Sequence, residues 1–152
     1  LHTAYRRQRQ MCIRDSDQAG REIKGKTDEK TYPLDEGIDD VNPADYDALL
    51  IPGGYSPDKL RGDQRFTDFA RHFADQQKPI FTICHGPQLL VNADVLKGKD
   101  ATAVKQVGVD VSNAGGNFID QEVVIDDSGL ITSRTPDDLP AFNRSIVQAL
   151  EQ

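Results

Sequence analysis

The sequence is poor in cysteine, histidine and aromatic residues. Its 152 residues include two cysteines, three histidines and no tryptophan. Cys12 and Cys84 are too few for the disulfide framework of a small secreted protein, which favours a reducing, cytoplasmic location. The histidines, His2, His72 and His85, show no metal-ligand spacing. We therefore predict no metal site, and we expect no cofactor.

Long apolar runs and an excess of positive charge are also lacking. No stretch is long enough to span a bilayer, and no signal-peptide pattern is present. The 18 basic residues are outnumbered by 25 acidic ones, and the net charge of −7 argues against a nucleic-acid-binding surface or an anionic membrane as partner. A chain of this length can form one α/β domain with a substantial core.

The first sixteen residues differ from the rest in charge. They hold four arginines and one acidic residue, a charge of +3, whereas the other residues carry −10. Residues 11–16 resemble translated adapter sequence, and the alternative is a basic, disordered arm. We therefore predict that residues 1–16 are a non-native or disordered segment, with no role for Cys12, and that residues 17–152 form a single α/β domain that is incomplete at its N-terminus.

The most informative stretch runs from Lys78 to Val91. Residues 80–83 are apolar and rich in β-branched types, as in a strand buried on both faces, and a helix can begin at Pro87. Cys84 lies at the bend between them, where a helix N-terminus directs unpaired N–H groups and partial positive charge at the side chain. The pattern predicts a nucleophile elbow with a thiolate nucleophile. The alternative is a small, inert core cysteine.

Glycine is placed to let backbone approach this bend. Gly86 allows a close backbone contact, although Thr82 stands where the usual elbow has another glycine. A second apolar strand, 48–51, ends in Pro52 and the pair 53–54. If the two strands are parallel, their ends meet at the edge of the sheet where ligands bind, and the glycine pair can turn an N–H towards a substrate. The alternative is an ordinary strand-to-loop turn.

The remaining pattern alternates helices and strands. We predict four helices: one over 56–61, one that begins after a cap at Asp63, one over 87–96 and one that begins at the capping pair 135–136. We predict strands over 101–104, 118–125 and 130–133, the last two joined by a hairpin turn at 126–129. The C-terminal helix should turn five apolar residues towards the core: Leu139, Phe142, Ile146, Val147 and Leu150.

Three segments, 45–54, 83–90 and 132–142, closely resemble the PfpI-type family of intracellular cysteine peptidases and protein deglycases, within the class I glutamine amidotransferase-like superfamily. The likeness runs from about Ile23 to the C-terminus. It implies an α/β, flavodoxin-like, doubly wound and mainly parallel sheet with helices on both faces. The family opens with a strand–helix–strand unit that we expect to be missing here, together with a glutamate that contacts the nucleophilic cysteine.

The predicted chemistry is thiolate attack on a carbonyl. Cys84 is the nucleophile, and the adjacent His85 is the candidate general base. Backbone N–H groups of Gly54 and His85 would form the oxyanion hole, and Gly53 and Gly86 would line the substrate pocket.

The resemblance also implies a homo-oligomer, a dimer or a hexamer-of-dimers type of assembly. In peptidase members a carboxylate from the neighbouring subunit orients the histidine, and the matching position here is Asp58. The competing interpretation is that Asp58 is only an acid in the first turn of a helix.

We favour a stress-response hydrolase, either a protein or nucleotide deglycase or a glutathione-independent glyoxalase, that acts on methylglyoxal and glyoxal adducts. An intracellular cysteine peptidase or amidase is the alternative within the same chemistry. In a different class, Cys84 would be a redox sensor in a chaperone-like stress protein without turnover. The chain could also be an inactive fragment.

Overall fold

The computed structural model describes residues 10–12, 22–24, 31–33 and 35–152. Its centre is a five-stranded sheet formed by β1 (Gln10–Cys12), β4 (Ala48–Ile51), β5 (Ile80–Ile83), β9 (Leu130–Ser133) and β8 (Val123–Ile125), in that spatial order. The first four strands run parallel, and β8 pairs antiparallel with β9. The mainly parallel sheet predicted from the sequence is confirmed.

Two small sheets accompany the central one. One joins β2 (Glu22–Lys24) and β3 (Thr31–Pro33) in an antiparallel pair, and the other joins β6 (Asp100–Ala101) and β7 (Asn117–Phe118) in a parallel pair.

Helices cover both faces of the central sheet, as a doubly wound fold requires. Their bounds are α1 (Ser56–Leu60), α2 (Gln64–Asp75), α3 (Pro87–Asn92), α4 (Gly108–Asn113) and α5 (Leu139–Glu151). Buried residues of α1 to α4 share one hydrophobic cluster with β4 and β5. On the opposite face, Phe142 of α5 packs with Ala48, Phe81 and Ile131. In the described part of the chain, no helix has both the length and the hydropathy needed to cross a bilayer.

The second helix forms as its sequence predicts. Asp63 caps it by accepting a hydrogen bond from the N–H of Arg65 at 3.0 Å. Phe66, Phe69 and Phe73 recur at helical spacing and are at most 4% exposed. The amphipathic face of α2 therefore supplies a large share of the core beneath the sheet.

Strand β1 is a finding that the sequence analysis did not predict. It lies within residues 1–16, and Gln10, Met11 and Cys12 are in register with Ala48, Leu49 and Leu50 of β4. Pairing at a sheet edge uses backbone groups, so it does not require the alternating apolar pattern by which strands are predicted. The assignment of residues 1–16 to a non-native or disordered segment stays a prediction.

Two predicted strands are shorter than expected because their backbone finds other partners. After β6, the N–H of Thr102 donates to Thr132 Oγ1 at 2.8 Å, and the N–H of Val104 donates to the carbonyl of Cys84 at 3.0 Å. The segment predicted as one strand over 118–125 is divided between β7 and β8, which belong to different sheets. The chain leaves one sheet and joins the other between them.

The predicted core face of α5 is only partly correct. Phe142 is 2% exposed, but Leu139 is 39% and Val147 is 50% exposed. Ile146 and Leu150 are partly buried and pack against the same cluster as Phe142, so three of the five predicted residues face the core. The helix is preceded by a 3-10 turn, Pro136–Asp138, and Thr135 makes no side-chain capping bond.

Candidate active site

The sharp bend predicted at Cys84 is present. Cys84 follows β5 directly, and its φ of 63° lies in the left-handed region that non-glycine residues rarely adopt. Backbone hydrogen bonds hold the bend from three sides: Cys84 N–H donates to Ser133 O at 3.0 Å, Val104 N–H donates to Cys84 O at 3.0 Å, and Gly86 N–H donates to Ile83 O at 2.9 Å. The strained conformation is therefore over-determined by its neighbours, as is typical of functional sites.

The side chains of Cys84 and His85 meet at this bend. Cys84 Sγ lies 3.2 Å from His85 Nδ1, within hydrogen-bonding distance for sulfur. Cys84 as a residue is half-buried. A thiol and an imidazole in direct contact can exchange a proton, which is the arrangement that cysteine-based nucleophilic catalysis needs.

The first glycine of the pair after β4 packs against Cys84. A Cβ added at Gly53 would lie 2.8 Å from Cys84 Cβ and 3.5 Å from Cys84 Sγ, so only glycine leaves this space free. Gly54 has a φ of 82°, which glycine adopts without the penalty of a side chain. The structure thus brings the two predicted strand ends together at one edge of the sheet.

Two backbone amides follow the ends of β4 and β5. Among the described residues, neither Gly54 N–H nor His85 N–H donates a hydrogen bond to the protein. Unpaired donors beside a nucleophile are the groups from which an oxyanion hole is built. The assignment of these amides to that role stays a prediction.

Asp58 stands apart from the histidine of its own chain. Its carboxylate forms an ion pair with Arg61, with Oδ1 2.6 Å from Nη2, and its side chain is 54% exposed. In the part of the chain that the structure describes, no carboxylate lies within ion-pair distance of His85. The predicted contribution of Asp58 from a second copy stays a prediction.

An ion-pair network braces the strand end beside the elbow. Arg134, which follows β9, donates from Nε to Asp138 Oδ2 at 3.0 Å and from Nη1 to Asp120 Oδ1 at 2.8 Å. The hydrogen bonds from Arg134 hold the pKa of Asp138 below its usual value of 3.8 and raise the pKa of Arg134 above its own. Because the carboxyl pKa is depressed on folding, this network stabilises the fold above about pH 4 and weakens as the pH falls through the lowered pKa.

Sequence reasoning assigned no role to the residues that fix the elbow from outside. Ser133 and Val104 act through backbone atoms, which no residue type specifies. Gln88 and Thr82, both near the elbow in sequence, are visible in the motif, but only the structure shows their surroundings. Gln88 Oε1 is buried without a partner, whereas Thr82 Oγ1 is hydrogen bonded to Ile51 O.

A parallel α/β sheet that carries a cysteine elbow at the carboxyl end of a central strand defines a class of thiol-dependent α/β proteins. Within that class, residues 9–149 match the model of the DJ-1/PfpI family, and the chain belongs to this family. The match begins at residue 9, earlier than the start near Ile23 that the sequence resemblance predicted.

Curated relatives support the same conclusion. The chain is 59% identical over 133 residues to "Protein/nucleic acid deglycase 2" of Escherichia coli, covering 88% of this chain and 77% of the relative. It is 53% identical to "General stress protein 18" of Bacillus subtilis, with the same coverage, and 52% identical to "Putative cysteine protease YraA" of that organism, covering 88% of this chain and 78% of the relative.

Solved structures share the fold. A two-domain protein of Anabaena variabilis with DJ-1/ThiJ/PfpI-like and ferritin-like domains superposes with a TM-score of 0.84 at 35% identity, covering 89% of this chain and 38% of that one. A ThiJ/PfpI domain protein of Brachyspira murdochii gives a TM-score of 0.81 at 24% identity, covering 89% of this chain and 76% of that one.

Proposed function

We propose that this chain is a cysteine-dependent hydrolase that removes or converts methylglyoxal and glyoxal adducts, as a deglycase or glutathione-independent glyoxalase. The observation that carries the proposal is the 3.2 Å contact between Cys84 Sγ and His85 Nδ1 at a strained, half-buried elbow. The similarity to a protein named as a deglycase supports this substrate class.

The proposed reaction begins with proton transfer from the thiol to His85. The Cys84 thiolate then adds to the carbonyl carbon of the substrate, and the carbonyl electrons move to oxygen. The N–H groups of Gly54 and His85 would stabilise that oxygen. Gly53 leaves the space beside the sulfur free of a side chain, since a Cβ there would lie 3.5 Å from Cys84 Sγ, and Gly53 and Gly86 are proposed to line the substrate pocket.

The substrate class can be tested by identifying products. We expect the protein to convert methylglyoxal to lactate, and to release free thiol from the methylglyoxal adduct of N-acetylcysteine, both followed by NMR. Fluorogenic peptides serve as the parallel assay, because the similarity to a protein named as a cysteine protease makes peptidase activity the second candidate. Peptide cleavage without lactate formation would refute the deglycase function and support the peptidase function instead.

The half-buried thiol also supports a non-enzymatic candidate, a redox-sensing stress protein. Intact-mass analysis after mild peroxide separates the two classes. A sensor gains oxygen at Cys84 while turnover of both substrate types stays at the background rate.

We further propose a cytoplasmic homo-oligomer in which Asp58 of one copy orients His85 of another. Asp58 can pair with Arg61 and also face a second copy, since its side chain is half exposed. We expect the activity per protomer to fall on dilution through the dissociation range, and Asp58→Asn to lower activity in the concentrated protein. Constant specific activity while light scattering reports dissociation would contradict the shared site.

A further inference from the structure

Thr82 lies between the two strand ends that form the candidate site. It is the third residue of β5, two residues before Cys84, and it is fully buried. Its hydroxyl Oγ1 donates to the carbonyl of Ile51 at 3.1 Å. Ile51 is the last residue of β4, immediately before the loop that presents Gly53 and Gly54. One side-chain hydrogen bond therefore joins the elbow strand to the strand that carries the glycine pair.

The backbone of Gly86 packs directly on this hydrogen bond. A Cβ at Gly86 would lie 1.9 Å from Thr82 Oγ1 and 2.8 Å from Ile51 O. The usual elbow has glycine both two residues before and two residues after the nucleophile. Here Gly86 keeps the later position free of a side chain, and Thr82 stands at the earlier position, where its side chain fills the space next to Gly86. The hydroxyl thus contacts the strand ends and the first turn of α3 together.

A hydroxyl is an unusual choice at this place in the fold. A strand buried on both faces normally takes valine or isoleucine, and burying a polar group is unfavourable unless it is hydrogen bonded. Valine has nearly the shape of threonine and would fill the same volume. What the hydroxyl adds to the backbone pairing of Ile51 with Thr82 is a directional bond between the end of β4 and β5, within three residues of Gly54 and of His85 in the sequence.

We propose that Thr82 is a positioning residue that sets the separation between the Gly54 and His85 amides, and so the fit of the oxyanion formed at Cys84. The inference rests on the proposed function, because it assumes that these amides face a reacting oxygen. Thr82 itself touches neither substrate nor sulfur in this role. It acts by fixing where β4 ends relative to the elbow.

The test compares three substitutions in the full chain. Thr82→Val removes the hydrogen bond at constant shape, and Thr82→Ser restores the hydroxyl. Thr67→Val is the matched control, because Thr67 is also buried and its hydroxyl donates to Gln64 O at 3.0 Å, within α2. We expect Thr82→Val to lower kcat for methylglyoxal by about tenfold with KM within about twofold, a fraction of the loss seen when an oxyanion donor is removed. Thr82→Ser should recover kcat to within about twofold of the parent, and Thr67→Val should leave it unchanged.

A second measurement does not depend on turnover. Propionaldehyde adds reversibly to the Cys84 thiolate. An S–C bond forms, the π electron pair of the carbonyl moves to its oxygen, and no group leaves. Iodoacetamide alkylates the same sulfur with loss of iodide and forms no oxyanion. We expect Thr82→Val to weaken propionaldehyde binding about tenfold while the alkylation rate stays within about twofold. If Thr82 had a purely structural role, Thr82→Val would lower the melting temperature and leave both the propionaldehyde affinity and the alkylation rate at their parental values.

Three results would overturn the positioning role: parental kcat and aldehyde affinity in Thr82→Val, equal losses in Thr67→Val, or no recovery in Thr82→Ser. Failure of the proposed function is distinguishable from these. If Cys84→Ser turned over methylglyoxal as fast as the parent, the hydrolase would be refuted, while the aldehyde affinity of Thr82→Val would still decide whether Thr82 positions the amides.

Discussion

Replacing Cys84 by serine is expected to lower methylglyoxal turnover by at least roughly 10³-fold, to the level of the uncatalysed reaction in practice. The substitution changes one atom, the sulfur that lies 3.2 Å from His85 Nδ1. A serine hydroxyl is far less acidic than a thiol, and a weaker nucleophile at neutral pH. The measurement is lactate formation by the purified parent and variant proteins at equal concentration.

Two controls make the result specific. Cys12→Ser changes the other cysteine of the chain and should leave turnover within about twofold of the parent, because Cys12 pairs with β4 through its backbone, which the substitution keeps. The Cys84→Ser protein should keep the parental melting temperature, since oxygen replaces sulfur without changing the backbone bonds at the elbow. Equal turnover in Cys84→Ser and the parent would refute the thiolate mechanism.

Gly86→Ala is expected to be the most destabilising of the substitutions considered, by about 3 kcal/mol in the free energy of unfolding. The added Cβ would lie 1.9 Å from Thr82 Oγ1, 2.8 Å from Ile51 O and 3.0 Å from Ile83 O. Two of these three atoms are backbone, so no side-chain rotation relieves the overlap. Activity should fall together with stability, because the elbow and the glycine loop are pushed apart. Urea unfolding of the parent and variant measures the difference.

Alanine substitutions at two other glycines distinguish steric overlap from backbone strain as the cause of lost stability. Gly62→Ala places a Cβ 3.7 Å from Lys59 O, an ordinary contact, and should change stability by less than about 0.5 kcal/mol. Gly54→Ala meets nothing within 4 Å, but its φ of 82° disfavours a side chain, so we expect a loss of about 1 kcal/mol. If Gly86→Ala were no more harmful than Gly54→Ala, the close packing around Thr82 would not be what keeps position 86 free.

A double variant examines the same contact from the other side. Thr82→Ala in the Gly86→Ala background removes the nearest overlap but leaves the two carbonyl oxygens at 2.8 and 3.0 Å. We expect it to recover part of the lost stability, with the remainder set by the backbone. No recovery at all would place the cause of the destabilisation in the elbow backbone rather than in the contact with Thr82.

The sequence by itself determined several elements that face the core and the position of the cysteine elbow. Apolar runs at 48–51 and 80–83 predicted two strands buried on both faces, which demand continuous apolar residues, and both lie in the central sheet. Residues 130–133 were predicted as a strand after a hairpin turn, and the structure places that strand in parallel beside β5. The order strand, Cys84, helix-compatible segment specified the elbow, because a chain that changes from strand to helix within three residues must bend sharply. Asp63 and the phenylalanine spacing specified α2 in the same local way.

Only the tertiary structure decided what joins these elements. The anchoring of Cys84 by Ser133 and Val104 uses backbone atoms that every residue carries, and the short β1 pairs by backbone alone. The early end of β6 and the exposure of Val147 depend on which neighbour lies opposite, and that is not encoded in local periodicity. The contact of Thr82 with Ile51 and Gly86 brings together residues that are up to 35 positions apart. Chemistry at a site depends on such distances, so the sequence predicted the elbow cysteine while the packing of the strand ends set the geometry around it.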